Sequence, residues 1–496
     1  MIFSYAVIGA YFSILLLLMV YCMHRYVILN LYFRTRNRVS IQPGGTRMPI
    51  VTVQLPVYNE MYVVERLIRA AAALDYPPDR LEIQVLDDST DETSSLAQGV
   101  VEQMRIDGCS IVYLHRDSRE GYKAGALARG LECARGELIA VFDADFVPSP
   151  DFLRRIVPYF EDVAVGMVQS RWGHINRAHN LLTRLEAILL DAHFIIEHTA
   201  RNRSGLFFNF NGTAGVWRAG CIRDAGGWQH DTLTEDLDLS YRAQMNGWKF
   251  IFLPDLVTPA EIPADMNSFK CQQHRWAKGG IETARKILPQ LLRSRQPLAV
   301  KSEACFHLLG NINYPLLVLL ALLSYPALVV RINMGWRHLF ILDLFCFLAS
   351  ILPIALYFGT AARQAGMSLS KTIAAVPLVM ALGIGLCINN GRGALEALFR
   401  QRSEFARTPK FRIETPGDTW RRKRYTGRSA AVQTRIELGL SLYFLLAIMF
   451  ALRCRVWASL PFLGLFFFGF LYVGGFSLYQ TYVAGAGQQP CERPVA

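Results

Sequence analysis

Ten cysteines are scattered over 496 residues without one CxxC pair or zinc-like spacing. That pattern excludes a disulfide framework and a structural zinc site, and it fits a reduced cytosolic and membrane setting. No basic residue precedes the first apolar run, Ile2 to about Val20, and no small-x-small site follows it, so the run does not read as a cleaved secretory signal. Internal repeats and low-complexity tracts are also missing. What the chain has in quantity is apolar residues, 52% by count, with a mean hydropathy of +0.22. The first run is long enough to cross a bilayer as a helix, which takes roughly 20 residues.

Arg25, Arg34, Arg36, Arg38 and Arg47 follow that helix, so the positive-inside rule puts its C-terminal side, and the hydrophilic region after it, in the cytosol. The net charge of +12 does not call for nucleic acid, because much of the excess lies near membrane segments, where anionic headgroups explain it. "NRS" at Asn202 and "NGT" at Asn211 match the glycosylation sequon, but a cytosolic domain would not meet that machinery.

From Met48 to Pro289 short β-branched runs alternate with amphipathic ones. "IVTVQLP", "LEIQVLDD", "SIVYLHRD" and "ELIAVFDAD" read as strands, and the stretches from Glu60, Asp91, Gly121 and Asp151 as helices. The alternation predicts an α/β domain around a largely parallel sheet, with ligands beyond the carboxyl ends of its strands. Further apolar runs follow at 304–330, 339–360, 372–389, 436–452 and 457–479. If all of them spanned, the basic loop from Arg392 to Arg435 would face outward. The shortest, 372–389, contains Pro377, Gly383 and Gly385 and is therefore read as interfacial or re-entrant. The expected organisation is a transmembrane helix at 1–33, a globular domain at 48–290, a helix pair at 304–360, a cytosolic or interfacial segment at 361–435, a second pair at 436–480 and a tail at 481–496, disordered from Gly485.

Several motifs carry chemistry. In "VFDADF", Asp143 and Asp145 are two residues apart at the end of an apolar strand, so their carboxylates converge where Mg²⁺ or Mn²⁺ bridging a diphosphate could sit. In "VLDDST", Asp87 and Asp88 end an earlier strand; one could accept from a nucleoside while the other caps the next helix. "GYKAGAL" opens a helix with Lys123 among small residues, a setting that suits phosphate oxygens or simply an exposed helix start. "TLTEDLDL" puts Glu235 and Asp236 at a helix start, suited to a general base or to ordinary capping. "KCQQHRWAKGG" gathers Gln272, Arg275 and Trp276, and its lone His274 has no partner ligands nearby to suggest a metal.

Taken in order, "QLPVYNE", "DDSTDET", "GYKAGAL", "DADF", "FNGTAG", "TEDLDL" and "QQHRW" resemble the inverting, processive family-2 glycosyltransferases of the cellulose synthase superfamily, nearest the plant mannan synthases, the xyloglucan-backbone glucan synthases and their bacterial relatives. The resemblance implies a GT-A domain inserted between transmembrane helices. It implies that Asp87 and Asp88 hold the nucleoside, that Lys123 approaches the diphosphate, and that Asp143 and Asp145 bind the nucleotide through Mg²⁺ or Mn²⁺. It makes Asp236, beside Glu235, the base for the acceptor hydroxyl, and has Trp276 stack on the acceptor sugar while Gln272 and Arg275 steady the diphosphate. Phe405, Thr408 and Lys410 match the spacing of the FxVTxK gating loop of bacterial cellulose synthases, with Arg407 in place of Val. Asn211 stands where those enzymes have Cys, and no cyclic-dinucleotide-binding domain follows, which argues against a bacterial cellulose synthase proper.

The expected function is polymerisation of a β-linked hexose, with UDP-glucose as first donor, GDP-mannose second, and the product passing through the membrane helices. The rivals are a glycolipid glycosyltransferase with a lipid acceptor and an inactive sugar-binding scaffold; retention of Asp143, Asp145, Asp236 and Trp276 speaks against the scaffold. The expected setting is the plasma or inner membrane, with the catalytic domain cytosolic. Accessory subunits are left open.

Overall fold

The computed structural model describes residues 1–38, 45, 47–401, 403, 405, 407–415, 417–421, 423–425 and 431–485. Its globular part is built on a sheet of β1 (Val51–Val57), β2 (Leu81–Asp87), β3 (Ile111–His115), β4 (Leu138–Val141), β5 (Val165–His174), β6 (Gly215–Arg218) and β7 (Lys249–Ala260). The strand order is β3-β2-β1-β4-β6-β5-β7. The first four strands in that order run parallel, as the motif pattern predicts. β6 is inserted antiparallel to both β4 and β5, while β5 and β7 pair in parallel.

Every residue of β1 and β2 is buried, and alternation then sorts their side chains. Val51, Val53 and Leu55 enter one apolar core. Thr52 and Gln54 point to the other side, where register sets them opposite Glu82 and Gln84. Thr52 Oγ1 donates to Glu82 Oε2 (2.6 Å) and Gln54 Nε2 to Gln84 Oε1 (3.1 Å), which pairs these buried side chains across the two strands while Gln54 Oε1 and Gln84 Nε2 keep no partner.

Among the described residues, five helices are long and apolar enough to cross a membrane: Ile2–Thr35, Gly310–Asn333, Leu339–Gln364, Ala431–Arg453 and Trp457–Val483. The run expected from residue 304 divides, because Leu298–Leu308 is a separate helix. The last helix continues to Gly485, into the expected tail, and residues 486–496 lie outside the described ones. The region read as interfacial is a helix pair, Leu369–Gly385 and Cys387–Leu398, bent by 44°. Both of its ends abut the globular domain. Met367 Sδ accepts from Arg177 Nη2 (3.7 Å) just before the pair, and Ala397 O accepts from Arg285 Nη1 (2.5 Å) at its end.

The two halves are joined by a continuous helical run, Leu181–Asp191, a π-helical stretch Ala192–His198, and Thr199–Arg203. Its apolar face meets the membrane helices: Leu182 and Leu185 share a cluster with Val379 and Leu382, and Ile195 and Ile196 pack with Ile28, Leu29 and Tyr357.

Candidate active site

A cleft enclosing about 1220 Å³, including its solvent-open mouth, lies beyond the carboxyl ends of β1, β2 and β4. The helix Met266–Arg293 and Phe405, Arg407, Thr408 and Lys410 form its other wall. Of the residues that the motifs single out for the site, all but Asp87 line it.

Asp87, the last residue of β2, is fully buried behind the cleft. Its carboxylate accepts from Ser89 N (3.1 Å), Ser94 Oγ (2.8 Å) and Tyr113 OH (2.7 Å), with His115 Nδ1 at 3.0 Å. Burial works against its charge, but these donors hold it below the usual carboxylate range. Asp88, one residue on, reaches the cleft. Arg116 fixes it with two parallel bonds, Nε to Oδ1 (2.7 Å) and Nη2 to Oδ2 (2.6 Å).

Asp143 and Asp145 follow β4, each held by a lysine. Lys123 Nζ donates to Asp143 Oδ1 (2.5 Å) and to Gly212 O (2.9 Å). Lys410 Nζ donates to Asp145 Oδ2 (2.7 Å) and to Glu261 O (3.0 Å). Burial opposes the charge on both ammonium groups, yet the carboxylates keep both above their ordinary range. The helix Tyr122–Cys133 brings Lys123 this close because Gly125 seats the preceding turn: a Cβ there would lie 2.1 Å from Glu120 O.

The chemistry of these donors suits a hard divalent cation, since Asp143 and Asp145 offer carboxylate oxygens only. No group of three or more His, Cys, Asp or Glu side chains among the described residues forms a closed metal cage. That is the donor set expected where one or two carboxylates share the ion with substrate phosphates.

Asp236 sits in the first turn of the helix Glu235–Met245, with Oδ1 accepting from Leu237 N (2.8 Å). Burial, then the neighbouring charge of Glu235, push its carboxyl up to about 7 against the pull of Lys123 and Arg275. A carboxylate poised near neutrality is suited to take a proton from a hydroxyl.

On the helix Met266–Arg293, Gln272, Arg275 and Trp276 share the face toward the cleft, as i, i+3 and i+4 spacing requires. The Arg275 guanidinium lies 4.5 Å from the Phe405 ring centroid, and Phe405 stacks on Tyr122 at 5.6 Å. Thr408 is buried. His274 faces the opposite way and meets Glu396 at 3.2 Å, which accounts for it without a metal.

The cleft also contains residues that motif reading passed over. Glu60 ends the quoted "QLPVYNE" and pairs with Arg407 at 3.2 Å. Burial pushes its carboxyl up to about 7; Arg407 opposes that, and Asp145 and Asp143 add to it. Arg119 covers Tyr58, with the guanidinium 3.4 Å from the ring centroid. Trp172 and His174 come from β5, where the only sequence signal is their two-residue spacing on a strand. Asn211 is held between two rings, donating from Nδ2 to His193 Nε2 (2.9 Å) and accepting from His198 Nε2 at Oδ1 (2.7 Å). Asn202, the other sequon residue, instead ties β7 through Phe250 O (2.7 Å) and Phe252 N (3.1 Å).

The domain also resembles known proteins in sequence and in fold. Residues 49–279 match the family model "Glycosyltransferase like family 2". Glucomannan 4-beta-mannosyltransferase 2 of Arabidopsis thaliana is 39% identical over 307 residues, 58% of this chain and 58% of its own length. Probable glucomannan 4-beta-mannosyltransferase 7 of Oryza sativa subsp. japonica is 45% identical over 256 residues, 51% of this chain and 44% of its own. The chain thus spans about half the length of the curated relatives it matches. The solved structure of the mannosyltransferase PcManGT from Pyrobaculum calidifontis, in complex with GDP-Man and Mn2+, superposes with a TM-score of 0.52 at 20% identity, covering 80% of this chain and 99% of that one. That likeness concerns the fold, which is GT-A-like. Within this chain, residues 49–279 match a glycosyltransferase family 2 domain.

Proposed function

We propose that this chain is a membrane-embedded inverting hexosyltransferase that extends a β-1,4-linked glycan from a nucleotide sugar. The observation that carries the reading is the convergence in one cleft of Asp236, with its carboxyl pushed up to about 7, with Asp143, Asp145, Lys123 and Arg275. In an inverting transfer the acceptor oxygen attacks the anomeric carbon opposite the leaving nucleotide. Asp236 takes the hydroxyl proton at its carboxylate. Lys123 and Arg275 offset the charge that develops on the departing diphosphate. Asp143 and Asp145 would hold the divalent cation, which when bound supplies further charge neutralisation there. Trp276 offers a face on which the acceptor ring stacks, and Asp88, fixed by Arg116, is oriented for the nucleoside.

The named activity of the plant relatives, together with the GDP-Man complex of the archaeal enzyme, moves GDP-mannose ahead of UDP-glucose as donor. The bent helix pair leaves and returns to the globular side, which supports five crossings, a cytosolic domain and a cytosolic position for Phe405, Thr408 and Lys410. The membrane bundle also encloses a second cavity, lined by Arg25, His307, Asn311 and Tyr314 among apolar residues, in keeping with passage of a glycan.

The test is to incubate membranes containing the protein with labelled GDP-mannose or UDP-glucose plus Mn²⁺ or Mg²⁺, then digest the product with linkage-specific hydrolases. Polymer from GDP-mannose that a β-1,4-mannanase degrades is the expected result. Label that is wholly extractable into organic solvent would replace the polymer reading with a glycolipid one. No incorporation from either donor would overturn both.

A further inference from the structure

Besides Arg119, Gln272, Arg275, Arg407 and Thr408, three side chains in the cleft retain a buried polar atom with no hydrogen-bond partner, and these three come from β5 or the end of β7. They are Trp172 Nε1, His174 Nδ1 and Glu261 Oε2. Trp172 and His174 are two apart on β5 and so share a face; β7 lies beside them, pairing His174 with Ala260, and Glu261 follows directly.

Each is held rigidly by its other contacts. The Trp172 indole is wedged between Phe146 (ring centroids 5.2 Å apart) and Phe194 (5.0 Å). His174 Nε2 meets Asp191 Oδ1 at 3.1 Å, and Arg177 secures the second oxygen of Asp191 at 2.8 Å. With Nε2–H donating to Asp191, the neutral ring presents Nδ1 as an acceptor. Glu261 Oε1 accepts from Phe411 N (2.8 Å), so the carboxylate cannot turn to satisfy its other oxygen without losing that bond.

Buried polar groups are nearly always paired, and a cluster left open beside a cleft is where a ligand completes them. One donor and two acceptors on a fixed frame match vicinal hydroxyls, each of which both donates and accepts. Position narrows the ligand further. Asp88, Tyr58 and Arg119 mark the nucleoside end on β1 and β2, whereas β5 and β7 form the opposite edge of the sheet. Asp191 there belongs to the helix Leu181–Asp191, which packs on the membrane helices. We infer that Trp172, His174 and Glu261 form a binding site for the hydroxyls of a hexopyranosyl residue of the acceptor glycan, on the membrane side of the transfer point. The inference rests on the proposed hexosyl transfer.

The test uses the full chain in detergent with labelled donor and added manno-oligosaccharide acceptors. Trp172→Phe removes the N–H and keeps the aromatic wedge. It should raise the acceptor KM about 5-fold, in line with loss of one neutral hydrogen bond, and leave the donor KM within 2-fold. An acceptor lacking the hydroxyl that Trp172 reads should lose a similar factor on the native protein and nothing further on Trp172→Phe, because coupled partners are not additive. Glu261→Gln, which is nearly isosteric, supplies the same comparison if the tryptophan variant folds poorly. Unchanged acceptor KM in both variants, or fully additive losses for every deoxy acceptor, would overturn the site. A native protein that transfers no sugar would instead overturn the proposed function.

Discussion

Two centres of buried charge, one centred on Glu197 and Arg201 of the helical run 181–203 and the other in the cleft, are built on opposite plans. At the membrane junction, Glu197 accepts from Arg25, Arg201 (3.1 Å) and Tyr357 OH (2.8 Å). Glu303 accepts from Arg201 Nε (2.9 Å) and His24 Nε2 (2.8 Å). Burial opposes the charge on Glu197, yet Arg25 and Arg201 hold it well below the usual range. In the cleft, burial wins: Asp236 and Glu60 are pushed up to about 7, and side chains such as Trp172, Gln272 and Thr408 keep polar atoms without partners. A network whose members are all satisfied fixes an architecture, whereas one left open with raised acids is prepared for a ligand and a proton.

The comparison breaks most visibly at Asp236. Asp236→Asn should reduce transfer by about 10³-fold or more, while nucleotide binding measured by calorimetry changes little; substantial residual turnover would remove Asp236 as the base. At the junction the expected loss is of stability instead. Glu303→Gln takes a carboxylate from His24 and one of two from Arg201, which keeps Glu197, and should destabilise the fold by about 3 kcal/mol. Thermal unfolding in detergent reads this, and an unaltered Tm would show that the junction is not a structural network.

Trp276→Ala should raise the acceptor KM about 10-fold, through lost aromatic contact, and shorten the product, with donor affinity nearly unchanged. Unchanged product length would count against stacking at that position. The smallest effect is on pH. Asp236 must be ionised to act, so kcat/KM should climb as pH rises and level off above about 7. The same carboxyl binds its proton more tightly in the folded chain than in the unfolded one, where its pKa is about 3.9. Its contribution to stability therefore falls as pH rises from about 4 to 7. A rate profile flat from pH 5 to 8 would contradict the raised pKa.

The cleft is partly legible in the sequence. Asp88, Asp143 and Asp236 stand at strand or helix ends, and element ends are where periodicity breaks and polar residues become conspicuous. The choice between Asp87 and Asp88 was not legible, because both follow the same apolar run. Only the packing of Tyr113 and Ser94 around one, and of Arg116 against the other, separates a buried cap from a cleft carboxylate. Trp172 and His174 were hidden for a related reason. On a strand buried over most of its length, a residue that faces a cleft and one that faces a core have the same sequence appearance.

By itself the sequence determined the class of the domain, the five long apolar helices and the set of chemical groups brought to the reaction. Those depend on composition, period and local order, which act over a few residues at a time. Tertiary structure decided which groups are available. Lys410 reaches Asp145 across 265 positions, and Arg407 reaches Glu60 over a still longer separation. The insertion of antiparallel β6 places β5 and β7 at the edge of the sheet beside the membrane-facing helix. Burial and the approach of distant charges set whether a carboxylate is a fixed anion or a base near neutrality, and both come from the packing of remote segments.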